Sequence, residues 1–440
     1  MRLRELLDLE LGTLFDIDRR VMILGLARMV DSLGNSFLVV VLPLYLSSGL
    51  VTGDFFGLST TLITGIILGM FGFFNSLGQP FAGRLADRAG KRKVFVVAGL
   101  AILAVATFAY TLVHSYAAII VIRAVQGLGV ALTIPAVIAL VNEYAGDAGR
   151  RGGNMGTYNT FRLIGFGSGP VVSGVVLNAA PFSFTVLGRT LTFSGFETAF
   201  YVAVLGSVIS LVLVGLFVRD PEETEATAAD ELDISAFSDE SEHTLDPVFA
   251  LAVASLFVAI GIALITPLET HINDHLDQGA TLFGIEFAAF TISQAVLQIP
   301  IGSLSDRYGR KPFIFWGLVL LVPATLAQGL VTTPSGMIIA RLVQGIGGAM
   351  EFAPALALAG DLAKRGTSGT TLSLITMTFG LGVAIGPIAA GYLISFGYVV
   401  PFAVGAVLAG LGAIIVYTQV EETITTESDP STKAQPVGQD

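Results

Sequence analysis

The sequence contains no cysteine among its 440 residues, and charged residues make up only 13% of it. The missing cysteine excludes disulfides, thiolate metal sites and cysteine nucleophiles. Soluble domains carry about 25% charged residues, so this low share, beside 53% hydrophobic residues, indicates a membrane protein. Acidic residues interrupt residues 1–20, which argues against a signal peptide there, and we interpret this segment as a cytoplasmic lead-in.

Long apolar runs supply twelve candidate spans, each close to the roughly 20 residues that cross a bilayer. In the first half they are Val21–Leu46, Phe55–Ala82, Val94–Val113, Tyr116–Val141, Met155–Asn178 and Thr198–Val218. In the second half they are Pro247–Leu268, Thr281–Leu304, Phe313–Val331, Ser335–Ala359, Thr371–Ser395 and Val399–Gln419. Helices must form these spans, because isolated strands cannot satisfy their backbone groups in lipid. The sequence therefore predicts an all-α polytopic membrane protein.

The basic residues predict the orientation of these spans. Of the 23 Lys and Arg residues, all lie on the side of the termini except Arg189 and four within spans. Since basic loops stay inside, both termini are predicted to be cytoplasmic in the cell membrane. The predicted domains are the lead-in 1–20, a six-helix unit 21–218, an acidic linker 219–246, a second unit 247–419 and a polar tail 420–440. The linker is too polar to fold and is interpreted as a solvated tether, with a docking or regulatory role as the alternative.

Three motifs occur twice, about half a chain apart. GRLADRAGKRK begins at Gly83 and GSLSDRYGRKP at Gly302, a displacement of 219 residues (302 − 83). In the fourth and tenth spans, RAVQGLGVA begins at Arg123 and RLVQGIGGA at Arg341. In the fifth and eleventh spans, GFGSGPVVSG is answered by GVAIGPIAAG. The chain is therefore an internal duplication of a six-span unit.

With these motifs the chain resembles the major facilitator superfamily of secondary transporters over nearly its full length. The first copy of the loop motif comprises Gly83, Asp87, Arg88, Gly90, Lys91 and Arg92, and the second comprises Gly302, Asp306, Arg307, Gly309, Arg310 and Lys311. The resemblance implies twelve transmembrane helices in two pseudo-symmetric six-helix bundles around a central cavity. That cavity would open alternately to either side of the membrane.

The resemblance also implies a gate at the loop motif. Asp87 and Asp306 would each approach a helix start in the opposite half, where unpaired N–H groups favour a carboxylate. Two neighbouring ion pairs are expected, Lys91 with Glu143 and Arg310 with Asp361, and all these contacts should exist only while the inner side is closed. The alternative is that the cations only fix the topology.

The fifth span resembles the signature of proton-coupled, multidrug-type antiporters of the same family. The matching residues are Gly156, Gly165, Gly169, Pro170 and Gly174, although Ser173 stands where the signature has glycine. Closely spaced glycines let helices approach each other and proline bends a helix. Ordinary small-residue packing is therefore the alternative to an antiporter function.

Ionisable groups inside spans are costly and commonly face a cavity or one another. The candidates for proton coupling or for lining the cavity are Arg28, Asp31, Asn35, Arg123, Arg162, Glu286, Arg341 and Glu351. The repeat places an uncharged Thr133 opposite Glu351, and a loose alignment places Ser255 opposite Asp31. We expect such unshared acids to handle substrate or protons. Asp31, about ten residues into its span, is expected to carry the coupled proton, with Arg123 at comparable depth in the fourth span. The alternatives are structural ion pairs, such as Asp31 with Arg28, and a span-end position for Glu286.

The segment ETHINDHLD, residues 269–277, is expected to be a solvated outer loop, with a divalent metal site at His271 and His275 as the alternative. No catalytic motif is found, so an enzyme is not expected, nor is a cofactor or a nucleic-acid partner. The favoured function is proton-coupled export of small, lipophilic or drug-like molecules by a monomer in a lipid bilayer. The alternatives are import of a small polar nutrient, such as a sugar or organic acid, and a receptor or membrane enzyme on a transporter fold.

Overall fold

The computed structural model describes residues 18–53, 55–144, 148–186, 189–221, 244–362 and 368–423. Its helices in the first half are α1 (Arg19–Ser47), α2 (Thr60–Ala89), α3 (Arg92–Ala109), α4 (Tyr116–Glu143), α5 (Ala148–Ala179) and α6 (Gly195–Phe217). Those in the second half are α7 (Pro247–Ala263), α8 (Glu269–Leu276), α9 (Ala280–Tyr308), α10 (Arg310–Leu330), α11 (Pro334–Leu362), α12 (Ser368–Leu393) and α13 (Val400–Gln419). Within the described residues, twelve helical segments are long and apolar enough to cross a membrane. The prediction of an all-α protein with twelve spans is confirmed.

Local signals in the sequence explain where several helices begin and end. The Asp18 carboxylate caps α1 by accepting a hydrogen bond from the Arg20 N–H at 2.7 Å. Ser59 caps α2 in the same way, so the second span begins at Thr60 and not at the predicted Phe55. Gly90 ends α2 in the left-handed region, at φ 60°, which favours glycine.

The seventh span differs most from its prediction. After α7 the chain continues through a 3₁₀ turn, Thr266–Leu268, directly into α8, and the whole span reaches from Pro247 to Leu276. The predicted solvated loop is therefore wrong over most of its length. Glu269, Ile272 and Leu276 lie on one buried face of α8 because they are spaced at helical intervals.

The helices pack as two bundles, α1–α6 and α7–α13, which meet mainly where α2 packs on α12 and α5 packs on α9. The loops between α2 and α3 and between α9 and α10 carry the basic motifs, and we call this end of the molecule the basic end. At the opposite end, β1 (Phe182–Val186) pairs with β2 (Arg189–Phe193) as an antiparallel hairpin. We call this the hairpin end. Most of the predicted lead-in, linker and tail, residues 1–17, 222–243 and 424–440, lies outside the described residues.

Candidate transport site and gates

Polar and apolar contacts join the two bundles at the hairpin end. The Asn178 amide of α5 donates a hydrogen bond to the Thr281 hydroxyl of α9 at 2.7 Å. The hydroxyls of Ser47 and Thr270 lie 3.5 Å apart, between α1 and α8. Val40 of α1 is fully buried within the apolar cluster of the second bundle. The hairpin end is therefore closed.

Small residues bring the backbones of the two bundles together in the same region. A Cβ atom added to Gly174 of α5 would lie 2.6 Å from the Thr281 Cα of α9. A Cβ added to Gly391 of α12 would lie 2.6 Å from the Thr61 carbonyl oxygen of α2. Two further glycines, Gly65 and Gly284, face the carbonyl groups of Pro387 and Pro170. Only glycine permits this approach, which matches the packing that small residues provide in membranes.

The same helices separate toward the basic end. Gly156 of α5 and Gly302 of α9 have no described atom within 4 Å of the position that a Cβ would take. The protein is thus in a conformation that is open at the basic end and closed at the hairpin end.

The antiporter-like motif of α5 serves helix packing, and its repeat copy does the same. Gly165 packs on the Met29 carbonyl of α1, and a Cβ at Gly169 would lie 2.6 Å from the Leu33 carbonyl. In the second bundle, a Cβ at Gly382 would lie 2.5 Å from the α7 carbonyl of Leu256. Because both copies play one structural role, the motif itself does not distinguish an antiporter from other transporters of this design.

Asp31 and Arg28 form an ion pair inside the first bundle. The Arg28 Nη1 atom lies 2.7 Å from the Asp31 Oδ2 atom, and Asp31 is only 4% exposed. Tyr158 and Arg162 of α5 interact electrostatically with Arg28, while Asn35, one turn further along α1, is half-buried. The Arg162 guanidinium donates to Asn159 at 2.8 Å. This conformation thus holds Asp31 paired, in a polar cluster between α1 and α5.

Glu351 occupies the matching place in the second bundle. It is buried on α11, and its Oε1 atom accepts a hydrogen bond from the Ser255 hydroxyl of α7 at 2.7 Å. In the first bundle, Asp31 of α1 and Thr133 of α4 line one small cavity. Each bundle therefore has one acid and one hydroxyl between its first and fourth spans. The acid is on the first span in the first bundle and on the fourth span in the second bundle.

The buried arginines of the repeated RxxQ motif belong to two similar hydrogen-bond networks. Arg123 donates to Gln126 at 3.3 Å, and Gln126 donates to Thr107 at 2.9 Å. In the second bundle, Arg341 donates to Gln344, whose amide donates to Thr325 at 3.2 Å. These networks tie the third span of each bundle to the fourth.

Arg123 does not lie at the depth of Asp31, contrary to the sequence-based prediction. It is seven residues from the start of α4 at the hairpin end, whereas Asp31 is sixteen residues from that end of α1. At 1.5 Å per residue the two differ in depth by about 13 Å. Thr133, not Arg123, is level with Asp31.

Two acids near the hairpin end of the second bundle are fully buried. Glu286 of α9, suggested as a span-end residue, and Glu269 of α8, which sequence reasoning missed, are both 0% exposed. The Glu269 carboxylate has no hydrogen-bond partner among the described residues, and the Gln278 side chain lies beside Glu286. The helical spacing of Glu269 with Ile272 and Leu276 is the signal that marks its buried face.

The two histidines of the same segment do not converge on a common site. The His275 ring stacks on Tyr398 with centroids 4.1 Å apart and contacts the Val331 carbonyl at 3.2 Å. Over the described part of the chain, no group of three or more His, Cys, Asp or Glu side chains has an arrangement that fits a metal ion. The structure therefore lends no support to the metal alternative for His271 and His275.

The loop motif of the first bundle forms its ion pair through a different residue from the one predicted. Arg92, not Lys91, lies 2.9 Å from Glu143, and Arg92 also lies 3.5 Å from Asp87. Gly90 ends α2 and α3 begins at Arg92, so Lys91 falls between the helices and is exposed. Arg88 is exposed as well.

In the second bundle the predicted pairing of Arg310 with Asp361 is present. Arg310 also lies 3.2 Å from Asp306, and α10 begins at Arg310 immediately after Gly309. Arg307 is exposed and Lys311 is half-buried. The first-bundle loop is thus one residue longer, which moves its pairing arginine by one position.

These ion pairs form within one bundle and are present while the basic end is open. The expectation that they exist only when that end is closed is therefore wrong. They tie the third span of each bundle to the fourth, so each bundle can move as a unit. The Asp87 side chain is 42% exposed. Its contact with the opposite bundle stays a prediction.

A duplicated six-helix bundle, closed at one end and open at the other, defines a multi-pass membrane transporter. The family model of the Major Facilitator Superfamily matches residues 24–250 and 251–438. The chain belongs to the Major Facilitator Superfamily, whose fold and function are those of transporters and not of enzymes.

Relatives and solved structures agree with this assignment. An uncharacterized MFS-type transporter of Methanocaldococcus jannaschii is 30% identical over 40% of this chain and 46% of its own length. Multidrug resistance protein 2 of Bacillus subtilis is 27% identical over 41% of this chain and 45% of its own, so the chain spans less than half the length of these two relatives. The quinolone resistance protein NorA of Staphylococcus aureus is 23% identical over 92% of this chain and 97% of its own.

The crystal structure of a bacterial homologue of the lysosomal transporter Spinster, in an inward-facing and occupied conformation, has a TM-score of 0.71 at 14% identity. It covers 90% of this chain and 95% of the other. At this identity the likeness concerns the fold alone.

Proposed function

We propose that the protein exports small lipophilic molecules in exchange for protons, with Asp31 as the group that carries the proton. The basic end would face the cytoplasm, because basic loops are retained inside. Both termini, the acidic linker 219–246 and the tail 420–440 would then be cytoplasmic, and residues 21–218 and 247–419 would be the two moving domains.

The buried ion pair of Asp31 carries the proposal. Asp31 lies about halfway along α1, which puts it near the bilayer midplane, where an ionisable side chain is costly and is usually functional. Its partner Arg28 is on the same helix, while Tyr158 and Arg162 come from α5, which also contacts the opposite bundle. Separation of α5 from the opposite bundle would change the access of water to the polar cluster around Asp31, and with it the hold of Asp31 on a proton.

The substrate class rests on the relatives of this chain. They include proteins named for resistance to quinolones, to tetracycline and to several drugs. These names favour lipophilic or amphipathic solutes over a sugar or an organic acid.

The test uses purified protein in liposomes with an imposed pH gradient and a fluorescent quinolone as the solute. Wild type should move the solute against the proton flow, while Asp31→Asn should retain solute binding and lose the pH-driven part. Asp18→Asn serves as the matched control, because it removes a carboxylate from the start of the same helix and asparagine caps a helix equally well.

Three results would speak against the proposal. Full pH-driven transport by Asp31→Asn would remove Asp31 from the mechanism. Solute and proton moving in the same direction would indicate a symporter that imports its substrate. Transport indifferent to the pH gradient would exclude proton coupling for that solute.

A further inference from the structure

A cavity of about 610 Å³ opens at the hairpin end between the two bundles. The first bundle lines it with the ends of α1 and α5 and the start of α6, including Leu44, Leu177 and Phe196. The second bundle lines it with α8 and the start of α9, including Thr270 and Asp274. Cavities of about 300–1,000 Å³ accommodate drug-sized molecules, so this one is large enough for an organic ligand.

The two walls of the cavity differ in polarity. Leucines and Phe196 make the wall of the first bundle largely apolar, whereas the wall of the second bundle carries the polar side chains of Thr270, Asn273 and Asp274. Burial of apolar surface favours binding, and a few polar groups orient the ligand. The cavity therefore matches a molecule that has one apolar group and one polar head.

The charges at this end favour a positive head. Asp274 is the one charged side chain among the described residues that line the cavity, and it is exposed. Two further carboxylates, Glu197 and Asp277, are exposed at the same end, while Arg189 is the one Lys or Arg that the sequence places in a loop there. An excess of one charge attracts ligands of the opposite sign. The Phe196 ring adds to this preference, because the face of an aromatic ring attracts an ammonium group.

The cavity exists only while the hairpin end is closed, because its opposite walls belong to different bundles. Two of its lining residues, Asn178 and Thr270, also make the polar contacts between the bundles, with Thr281 and Ser47. Opening of the hairpin end separates these partners and divides the cavity. A molecule that contacts both walls therefore binds the closed conformation and shifts the equilibrium toward it.

We propose that this cavity is an inhibitory binding site for a small amphipathic organic cation, an ammonium with one apolar group, which enters from the hairpin side. Asp274 pairs with the ammonium, while the leucines and Phe196 contact the apolar group. The bound cation holds the hairpin end closed, so it stops a cycle that needs this end to open. The site requires neither proton exchange nor transport of the cation, so it stands or falls independently of the export proposed above.

The test uses trimethyl(4-phenylbutyl)ammonium as the probe and Val40→Cys as the reporter in the purified full-length protein. Val40 is fully buried within the apolar cluster of the second bundle, so a thiol there reacts with a maleimide only when the hairpin end opens. At about ten times its Kd, a probe that binds only the closed conformation should slow labelling about 11-fold. The anion 4-phenylbutanesulfonate, which carries the opposite charge on the same apolar group, should not slow it.

Two isosteric substitutions on one helix locate the site. Asp274→Asn should raise the probe concentration that gives half of the protection at least about fivefold, the effect of losing one exposed ion pair. Asp277→Asn is the matched control, because Asp277 does not line the cavity and asparagine accepts its φ of 50° equally well. Each variant is compared with its own labelling rate without the probe, and thermal unfolding shows that each is folded.

A second arm distinguishes this cavity from the transport site around Asp31. In the Val40→Cys background, Asp31→Asn should keep the full protection by the probe, because Asp31 does not line the cavity. Protection that is lost in Asp31→Asn, or unchanged in Asp274→Asn, would overturn the proposal. So would equal protection by the anion, or no protection of the Val40→Cys protein at any concentration at which the probe is soluble.

Discussion

Closure of the hairpin end should depend on the absence of a side chain at Gly174. An added Cβ would lie 2.6 Å from the Thr281 Cα and 2.7 Å from the Ala280 carbonyl oxygen, and both are backbone atoms that no rotamer change can move. Real Cβ contacts are not shorter than 3.0 Å. In Gly174→Ala, α5 and α9 must therefore separate by at least about 0.4 Å.

Overpacking of this kind costs about 1–3 kcal/mol. The cost falls only on the conformation in which the hairpin end is closed, since opening that end separates the two helices. At 1.4 kcal/mol per factor of ten, the ratio of open to closed molecules at the hairpin end should rise about 5- to 140-fold. The same reasoning applies to Gly391→Ala, which meets the Thr61 carbonyl oxygen in the pseudo-symmetric contact.

The assay uses the natural absence of cysteine. Val40→Cys places a thiol on α1 where residues of the second bundle bury it completely. Its rate of reaction with an impermeant maleimide reports how often the hairpin end opens, and Gly174→Ala should raise this rate within the range given above. Gly156→Ala on the same helix is the control, because it gains the same helix propensity but meets no described atom within 4 Å. Equal labelling in the two alanine variants would refute the role of close glycine packing in closure.

Three other predictions concern the gate, the unshared acid and the topology. Asp87→Asn should favour the conformation that is open at the basic end and increase labelling of a cysteine at Gly156, where an added side chain meets no described atom. Asp274→Asn, on α8 at the hairpin end, should not. The unfolding temperature should not change, because the Asp87 side chain is 42% exposed. If labelling is also unchanged, Asp87 is not part of the gate. Glu351→Gln should alter pH-driven transport more than Thr133→Ala does, and equal effects would make Glu351 structural. A cysteine at Ser235 should be protected from an impermeant reagent in intact cells whereas one at Thr185 reacts; the reverse pattern would invert the orientation.

The duplication is the part of the fold that sequence reasoning captured best. The spans follow from apolar runs, and the repeat shows which residues share a place. The contact of Arg310 with Asp361 was implied by the family resemblance that the repeated motif carries, and it is present. The same reasoning chose the wrong residue at Lys91. The residue that pairs with Glu143 is Arg92, the first residue of α3, and not Lys91, which the repeat places opposite Arg310. A difference of one residue in a loop is enough to transfer a contact to the neighbouring side chain.

Depth and tertiary proximity could not be derived in the same way. Arg123 and Asp31 were expected at comparable depth from opposite sides, but Arg123 is only seven residues from the hairpin end of its helix and Asp31 is sixteen. Glu269 was assigned to a loop because ETHINDHLD is polar, although Glu269, Ile272 and Leu276 follow the period of a helix with one buried face. Polarity of a short segment does not exclude burial of one face of the helix that it forms.

The two bundles share the parts that let them move, and they differ in the parts that could give the motion a direction. The Gln126–Thr107 hydrogen bond has its equivalent in the second bundle, and the glycine contacts are likewise present in both, so these features are common to the two bundles. A device that responded to protons through shared groups alone would respond equally on both sides and could not prefer one. Asp31 and Glu351 break this equivalence, because each acid stands where the other bundle carries a hydroxyl, on a different helix of the pair. Under the proposed exchange, gain or loss of a proton would act on α1 at Asp31 and on α11 at Glu351, and a coupled cycle would need that asymmetry.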